Sequence, residues 1–203
     1  MNDPMSVAIL AGGQSSRMGR DKSFVELAGK PLIAHVIERI SQLGLPISII
    51  TNTPEDYRVY DLPVFTDVLP NRSSLGGLYS AIYHSPSEYT LCVACDMPFL
   101  NPKLLGYLIS LCTEYDAIVP IIGDHPQGLH AIYRKTCLAP MLQQIEKNRL
   151  KIRDLYAEIN TQWVDENTLR QYDSHLKSFV NVNTPDVLKT LESDILLKER
   201  NTE

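Results

Sequence analysis

Nowhere in its 203 residues does the chain hold an apolar run near the ~20 residues that cross a bilayer. Its N-terminal apolar segment is also too short for a signal peptide. Positive charge is in the minority. The 19 Lys and Arg face 24 Asp and Glu, and the formal charge of -5 argues against nucleic acid or an anionic membrane as the main partner. Cysteine is scarce, at four residues: Cys92, Cys95, Cys112 and Cys137. Cys92 and Cys95 have the spacing of a redox or zinc pair but lie in Thr90–Cys95, which reads as a strand. Residues three apart on a strand point to opposite faces, so buried free thiols in a reducing cytoplasm are the expectation. The acceptor triplet Asn71-Arg72-Ser73 carries no glycan in that compartment. The usual phosphate motifs are missing too. Gly19 is followed by Arg20 rather than by the Lys-Ser/Thr of a Walker loop, and Gly12-Gly13 breaks the Gly-x-Gly of a dinucleotide fold. No Ser/His or Cys/His pairing stands out, so a covalent intermediate is not implied.

What is present begins at Val7-Ala8-Ile9-Leu10, a short buried strand that runs straight into Ala11-Gly12-Gly13. Adjacent glycines leave the backbone bare where the strand ends, so a phosphate can approach its N–H groups. Arg17, Arg20, Lys22 and Lys30, opposed only by Asp21 and Glu26, make a local positive site in an acidic chain. A polyphosphate is the simplest ligand. The competing reading is a strand-to-helix turn with solvated cations.

At this length one compact domain over residues 1–203 is expected, able to bury roughly 70% of its unfolded surface, with a frayed tail from about residue 193. Pro31 opens a helix whose Ile33, Val36, Ile37 and Ile40 share a face, and Gly44 ends it. Ile47–Ile50 is a second strand, and an irregular segment leads to Val64-Phe65. Gly76-Gly77 introduces a helix through Leu78, Ala81 and Ile82. A strand at 90–95, a helix from Pro102 to about Cys112 and a strand at Ala117–Ile121 follow. Beyond these come a strand at Leu129–Tyr133, helices near 135–147 and 149–158, a short strand at Phe179-Val180 and a last helix from Pro185. The alternation predicts an α/β fold with a mostly parallel sheet.

Ligands of such sheets gather where strands end at their carboxyl side, which makes the strand ends a candidate list. Asp96 follows six mostly apolar residues and precedes Pro98. A carboxylate at that rim suits magnesium held against phosphates, or alternatively a turn or helix cap. Asn52 and Asp67 end two further strands and offer contacts to a base or ribose, or local capping. Ser73–Gly77 is a second small-residue turn. Asn181 and Asn183 share one face of an extended segment ahead of Thr184-Pro185, which reads as a helix N-cap and first helical residue. His125 and His130 flank another junction, where a lone histidine packs more often than it catalyses.

Together these residues resemble a known family. Leu10-Ala11-Gly12-Gly13, Arg17-Met18-Gly19, Asp21-Lys22 and Gly29-Lys30-Pro31-Leu32 are similar to the signature of nucleotidyltransferases acting on a phosphorylated acceptor. Cys95-Asp96-Met97-Pro98 and Asn181-Val182-Asn183-Thr184-Pro185 narrow the resemblance to molybdenum cofactor guanylyltransferases, over residues 7 to about 192. The resemblance implies a Rossmann-like three-layer sandwich of the nucleotide-diphospho-sugar transferase type. It implies transfer of GMP from GTP to the terminal phosphate of molybdopterin with release of pyrophosphate. By position, Leu10, Ala11, Gly12 and Gly13 would bind the nucleotide, and Arg17 and Lys22 the triphosphate. Asn52 and Asp67 match nucleotide-binding positions. Asp96 matches a nucleotide- and magnesium-binding aspartate, which with Arg17 and Lys22 would form the catalytic set. Asn181 and Asn183 would lie on the acceptor side, with Asn183 as a second Mg2+ ligand. Where the family has Gly-Pro-Leu-x-Gly, this chain has Ser74-Leu75-Gly76-Gly77. Relatives using CTP or a sugar-phosphate acceptor usually show Leu-Ala-Ala-Gly, so Gly12 favours guanine. A catalytically silent nucleotide-binding protein is the other alternative, against which stand Lys22 and Asp96. A cytoplasmic monomer is expected, with GTP and the molybdenum cofactor as partners and transient contacts with other cofactor-biosynthesis proteins.

Overall fold

Two strands with every residue buried, β1 (Met5–Leu10) and β6 (Tyr89–Ala94), lie side by side at the centre of the molecule. Burial on both faces is what an unbroken apolar run requires, and it places these strands inside a sheet covered by helices. The computed structural model describes residues 4–12 and 22–200, with side chains through residue 193.

Between the two central strands come a small hairpin of β2 (Glu26–Leu27) and β3 (Lys30–Pro31), then α1 (Leu32–Ser41) and β4 (Ile47–Ile50). A 3-10 helix at Pro54–Tyr60, β5 (Val64–Phe65) and α2 (Ser73–His84) complete this half. After β6 follow α3 (Pro102–Ser110), β7 (Ala117–Ile122), β8 (His125–Pro126), β9 (His130–Arg134) and α4 (Leu138–Glu146). The chain ends through β10 (Thr161–Val164), α5 (Glu166–Tyr172) and α6 (Pro185–Arg200). The main sheet has the order β10-β7-β9-β6-β1-β4-β5, with β8 paired to β7. Its neighbours are parallel except around β9, which runs antiparallel to both β6 and β7, and at β8, which is antiparallel to β7.

Period-two alternation divides the core into two layers. Val7 and Ile9 of β1 join Ile33, Val36 and Ile40 of α1 and Leu104 and Leu108 of α3 on one face. Ala8 and Leu10 join Leu75 and Leu78 of α2 and Met141 and Ile145 of α4 on the other. This is the α/β fold expected from the alternation, in the three-layer sandwich that the resemblance implies. The same rule separates Cys92 from Cys95, whose side chains enter opposite layers without a disulfide. No helix among the described residues is long and apolar enough to cross a membrane.

Several local expectations are corrected. The helix assigned to start at Gly76-Gly77 begins at Ser73 and contains both glycines. A Cβ on Gly76 would stand 2.9 Å from the Leu69 carbonyl oxygen, so this glycine lets the helix press against the preceding turn. The segment near 149–158 forms only a 3-10 helix, at Ile152–Ala157, and Lys177–Phe179 is a 3-10 turn rather than a strand. The irregular stretch before Val64 contains the 3-10 helix Pro54–Tyr60. Thr184 does cap α6, its Oγ1 accepting from the Val187 amide at 3.3 Å. Asn101 caps α3 by accepting from Lys103 and Leu104.

Candidate active site

The parallel order β5-β4-β1-β6 brings four carboxyl ends to one rim. The ladder continues one residue past the ends of β1, β4 and β6. The Ala11 amide donates to Ile50 O at 2.8 Å, Thr51 to Phe65 O at 2.9 Å, and Cys95 to Leu10 O at 3.1 Å. Each residue that follows is therefore held by the sheet rather than by its own loop. β9 runs the other way, so its amino end arrives at the same rim, where Ala94 donates to Leu129 O at 3.1 Å.

A cleft of about 1010 Å³ opens there. Leu10, Ala11, Gly12, Lys22, Asn52, Asp67, Asp96, Asn181 and Asn183 all line it. Gly13, Arg17 and Arg20 lie outside the described residues. Lys30 is not part of the cleft: it is paired with Glu38 at 2.6 Å on the far side of the hairpin, which removes it from the positive cluster inferred from sequence. His130 is wholly buried and stacked on Phe179 at 4.4 Å, so it packs.

The polar centre joins residues far apart in sequence. The Lys22 ammonium donates to Asn183 Oδ1 at 2.5 Å and stands 3.8 Å from Asp96 Oδ2. The Val182 amide donates to Asp96 O at 2.9 Å, fastening the asparagine segment to the end of β6. The Asp96 side chain is 14% exposed. Burial raises its pKa above the ordinary carboxylate range, and the nearby Lys22 charge opposes that only in part. A carboxylate in this position gains from any further cation that reaches it. Along the rim, Asn52 Nδ2 donates to Asp67 Oδ2 at 3.0 Å, tying the ends of β4 and β5 together. The two residues thus orient one another and leave Asp67 Oδ1 beside Gly77, where a Cβ would come within 3.7 Å.

Ser73, Ser74 and Gly77 bring the second small-residue turn to the cleft, as the sequence suggested, whereas Thr53, Asn71, Arg72, Gln127, Gly128 and Leu150 were missed. Thr51, Thr53 and Asn71–Ser74 line one part of the cleft, and Pro126–Leu129 with Leu150 another. Asn71 and Ser73 adopt left-handed backbone, at φ 61° and 56°, a conformation that costs on the order of 1 kcal/mol each in non-glycine residues. In the second group, Gly128 O accepts from Tyr133 OH at 2.8 Å, and that hydroxyl meets Tyr156 OH at 2.9 Å. A Cβ on Gly128 would lie 2.9 Å from both Tyr156 OH and Ile152 Cγ2. The alternative to a ligand wall is thus a tightly packed turn, and this segment is both. A reversed strand was the missing signal: reading only carboxyl ends passes over the amino end of β9.

A cleft lined by Lys22, Arg72, a shielded Asp96 open to a further cation, and the side-chain amides of Asn52, Asn71, Asn181 and Asn183 suits a polyanion. Comparison with known proteins then decides the family. A family model described as the MobA-like NTP transferase domain matches residues 7–163. The chain belongs to the MobA-like NTP transferase family. It is 41% identical to the "probable molybdenum cofactor guanylyltransferase" of Natranaerobius thermophilus, over 93% of this chain and 95% of that one. Its fold matches the molybdopterin-guanine dinucleotide biosynthesis protein A of Archaeoglobus fulgidus with a TM-score of 0.84, at 30% identity, covering 95% and 99% of the two chains. A CMP:2-keto-3-deoxy-manno-octonic acid synthetase complexed with CTP shares the fold alone, at TM-score 0.72 and 15% identity, covering 97% and 100% of the two chains. As a member of the MobA-like family, the chain is a nucleotidyltransferase of the nucleotide-diphospho-sugar transferase type.

Proposed function

We propose that this MobA-like chain transfers GMP from GTP to the terminal phosphate of molybdopterin or its molybdenum-loaded form. The observation that carries the reading is the meeting of Lys22, Asp96 and Asn183 at the rim beside the Gly12 backbone. Family membership and the 41% identical relative support the choice of guanylyl transfer.

A terminal phosphate oxygen of the acceptor attacks the α-phosphorus of GTP. The new P–O bond forms as the bond from that phosphorus to the bridging oxygen breaks, and the electron pair leaves with pyrophosphate. The attacking oxygen is already anionic, so no strong general base is needed. The protein has instead to bring two anions together and stabilise the charge on the leaving group. Lys22 supplies mobile positive charge, with Arg17 beside it in sequence. The strand-end backbone around Gly12 receives the phosphates, while Asn52 and Asp67 hold the nucleoside and Asn181 and Asn183 face the acceptor.

The oxygen donors fit magnesium, a hard cation commonly bound by one or two carboxylates together with substrate phosphates. Asp96 would hold it; the Asn183 amide oxygen, the second ligand expected from sequence, accepts from the Lys22 ammonium in this structure. There magnesium would neutralise phosphate charge and polarise the P–O bonds. The buried position of Asp96, only partly compensated by Lys22, is the feature of this chain that favours such a cation.

Pyrophosphate release, measured with molybdopterin and magnesium and with GTP, CTP or ATP in turn, tests the reading. Release with GTP is expected. Release with CTP alone, or only when a sugar phosphate replaces molybdopterin, overturns it.

A further inference from the structure

Beneath the polar centre lies a buried chain of side chains that the reaction itself does not use. Tyr57, in the 3-10 helix Pro54–Tyr60, is fully buried and its ring packs on Phe24 at a centroid distance of 5.0 Å. Its hydroxyl donates to Ser23 Oγ at 2.8 Å and lies 3.3 Å from the Ala11 carbonyl oxygen. Ser23, also fully buried, donates in turn to Cys95 Sγ at 3.1 Å. The sequence separations of these contacts are 34, 46 and 72 residues. Each partner is covalently adjacent to a residue of the cleft: Ala11 to Gly12, Ser23 to Lys22, and Cys95 to Asp96. The helix that carries Tyr57 starts two residues beyond Asn52.

We infer that Tyr57, acting through Ser23, is a positioning residue that sets the Lys22 ammonium against Asp96 and Asn183. The physical need is plain. Lys22 opens a short 3-10 turn, Lys22–Phe24, whose own ladder is minimal. Its long side chain has many rotamers to lose before it can hold one place beside a phosphate. Burying the next residue, and fixing its hydroxyl between a phenol and a thiol, anchors the stem from which that side chain reaches. The thiol contact fixes the stem relative to the end of β6, where Asp96 stands, and the approach of the Tyr57 hydroxyl to Ala11 O relates it to the end of β1, where Gly12 stands. The donor-side geometry is thus built from below by one phenolic hydroxyl.

This inference rests on the nucleotide-binding half of the function proposed above, and its test separates the two. Tyr57→Phe retains the ring and its contact with Phe24 and removes only the hydroxyl. Calorimetric titration with GTP, without acceptor, is expected to show affinity weakened about three- to ten-fold, the range of one lost hydrogen bond. The deciding measurement is the double variant. In a Lys22→Ala background, Tyr57→Phe is expected to change GTP affinity less than about two-fold, because the group it positions is gone. Ser23→Ala runs the same cycle should the phenylalanine variant fold poorly, and combined with Tyr57→Phe it is expected to be no worse than either alone. An equal loss with and without Lys22 overturns the inference, since Tyr57 would then support the fold in general. Unchanged affinity in both single variants overturns it as well. A parent that binds GTP but transfers nothing to molybdopterin sinks the proposed reaction while the binding cycle still decides Tyr57. A parent that does not bind GTP overturns both.

Discussion

The two halves of the cleft are built by opposite rules. Before residue 97, four parallel strands deliver their carboxyl ends to the rim, and the residues just beyond carry the polar groups. After residue 117, the rim receives the amino end of the reversed strand β9, and Pro126–Leu129 enters with little charge of its own. The first half presents ionisable and amide side chains, Lys22, Asn52, Asp67 and Asp96. The second presents a tight turn held by tyrosine hydroxyls. The difference teaches that one half is arranged for charge and the other for shape, with the later segment Val182-Asn183 fastened to the charged half through Lys22 and the backbone of Asp96.

Substitutions should divide along that line. Lys22→Ala, on the charged side, is expected to raise the barrier by ~2–4 kcal/mol, a ~30- to 1000-fold fall in turnover, with melting temperature nearly unchanged. Steady-state pyrophosphate release checks it, and full activity would remove Lys22 from the chemistry. On the shaped side, the largest effect expected is on stability. Burial lowers the His130 pKa from 6.5 to about 4, so the unfolded chain binds more protons than the folded one between those values. The stability associated with a neutral His130 is present above pH 6.5 and is lost as pH falls through this window, by about 3 kcal/mol at most. Urea denaturation at pH 4 to 7 measures the slope, which His130→Phe should flatten.

Gly128→Ala pushes a methyl against Ile152 and Tyr156 and is expected to cost about 1–2 kcal/mol. Because Gly128 lines the cleft, it should also raise the KM of one substrate, GTP or molybdopterin, more than that of the other. Equal losses for both would mean that the two halves are not separable. The smallest effect is expected at Asn101→Ala, which removes the cap of α3 and should lower stability by ~1 kcal/mol without touching either substrate.

Much of the first half was legible in the sequence because its rule is local. Asp96 is conspicuous as a carboxylate after a buried run, and Gly12 as a bare residue after another. The α/β class with its mostly parallel sheet followed from alternation, and the three-layer arrangement from the family resemblance. The second half was harder for reasons that are also physical. Strand direction leaves no mark on Leu129–Tyr133, so the role of Gln127 and Gly128 at the rim could not be read. Thr161–Val164 is short, lies at the sheet edge and carries the 40% exposed Trp163, which blurs any buried-strand pattern. Phe179-Val180 looks extended, yet Leu176 takes a left-handed turn at φ 52° and winds the chain into a 3-10 turn. Lys30 shows the limit of counting charges. Its neighbours in sequence suggested a phosphate site, whereas α1 supplies Glu38 one turn and a half into the helix and takes it away.

The reversed β9 has a consequence for how the protein can change. Because one wall of the cleft is encoded before residue 97 and another after residue 117, the two walls come from separate stretches of gene. Mutation or recombination in the later stretch can reshape its wall without redrawing the earlier one. A single strand inserted backwards thus makes the cleft modular.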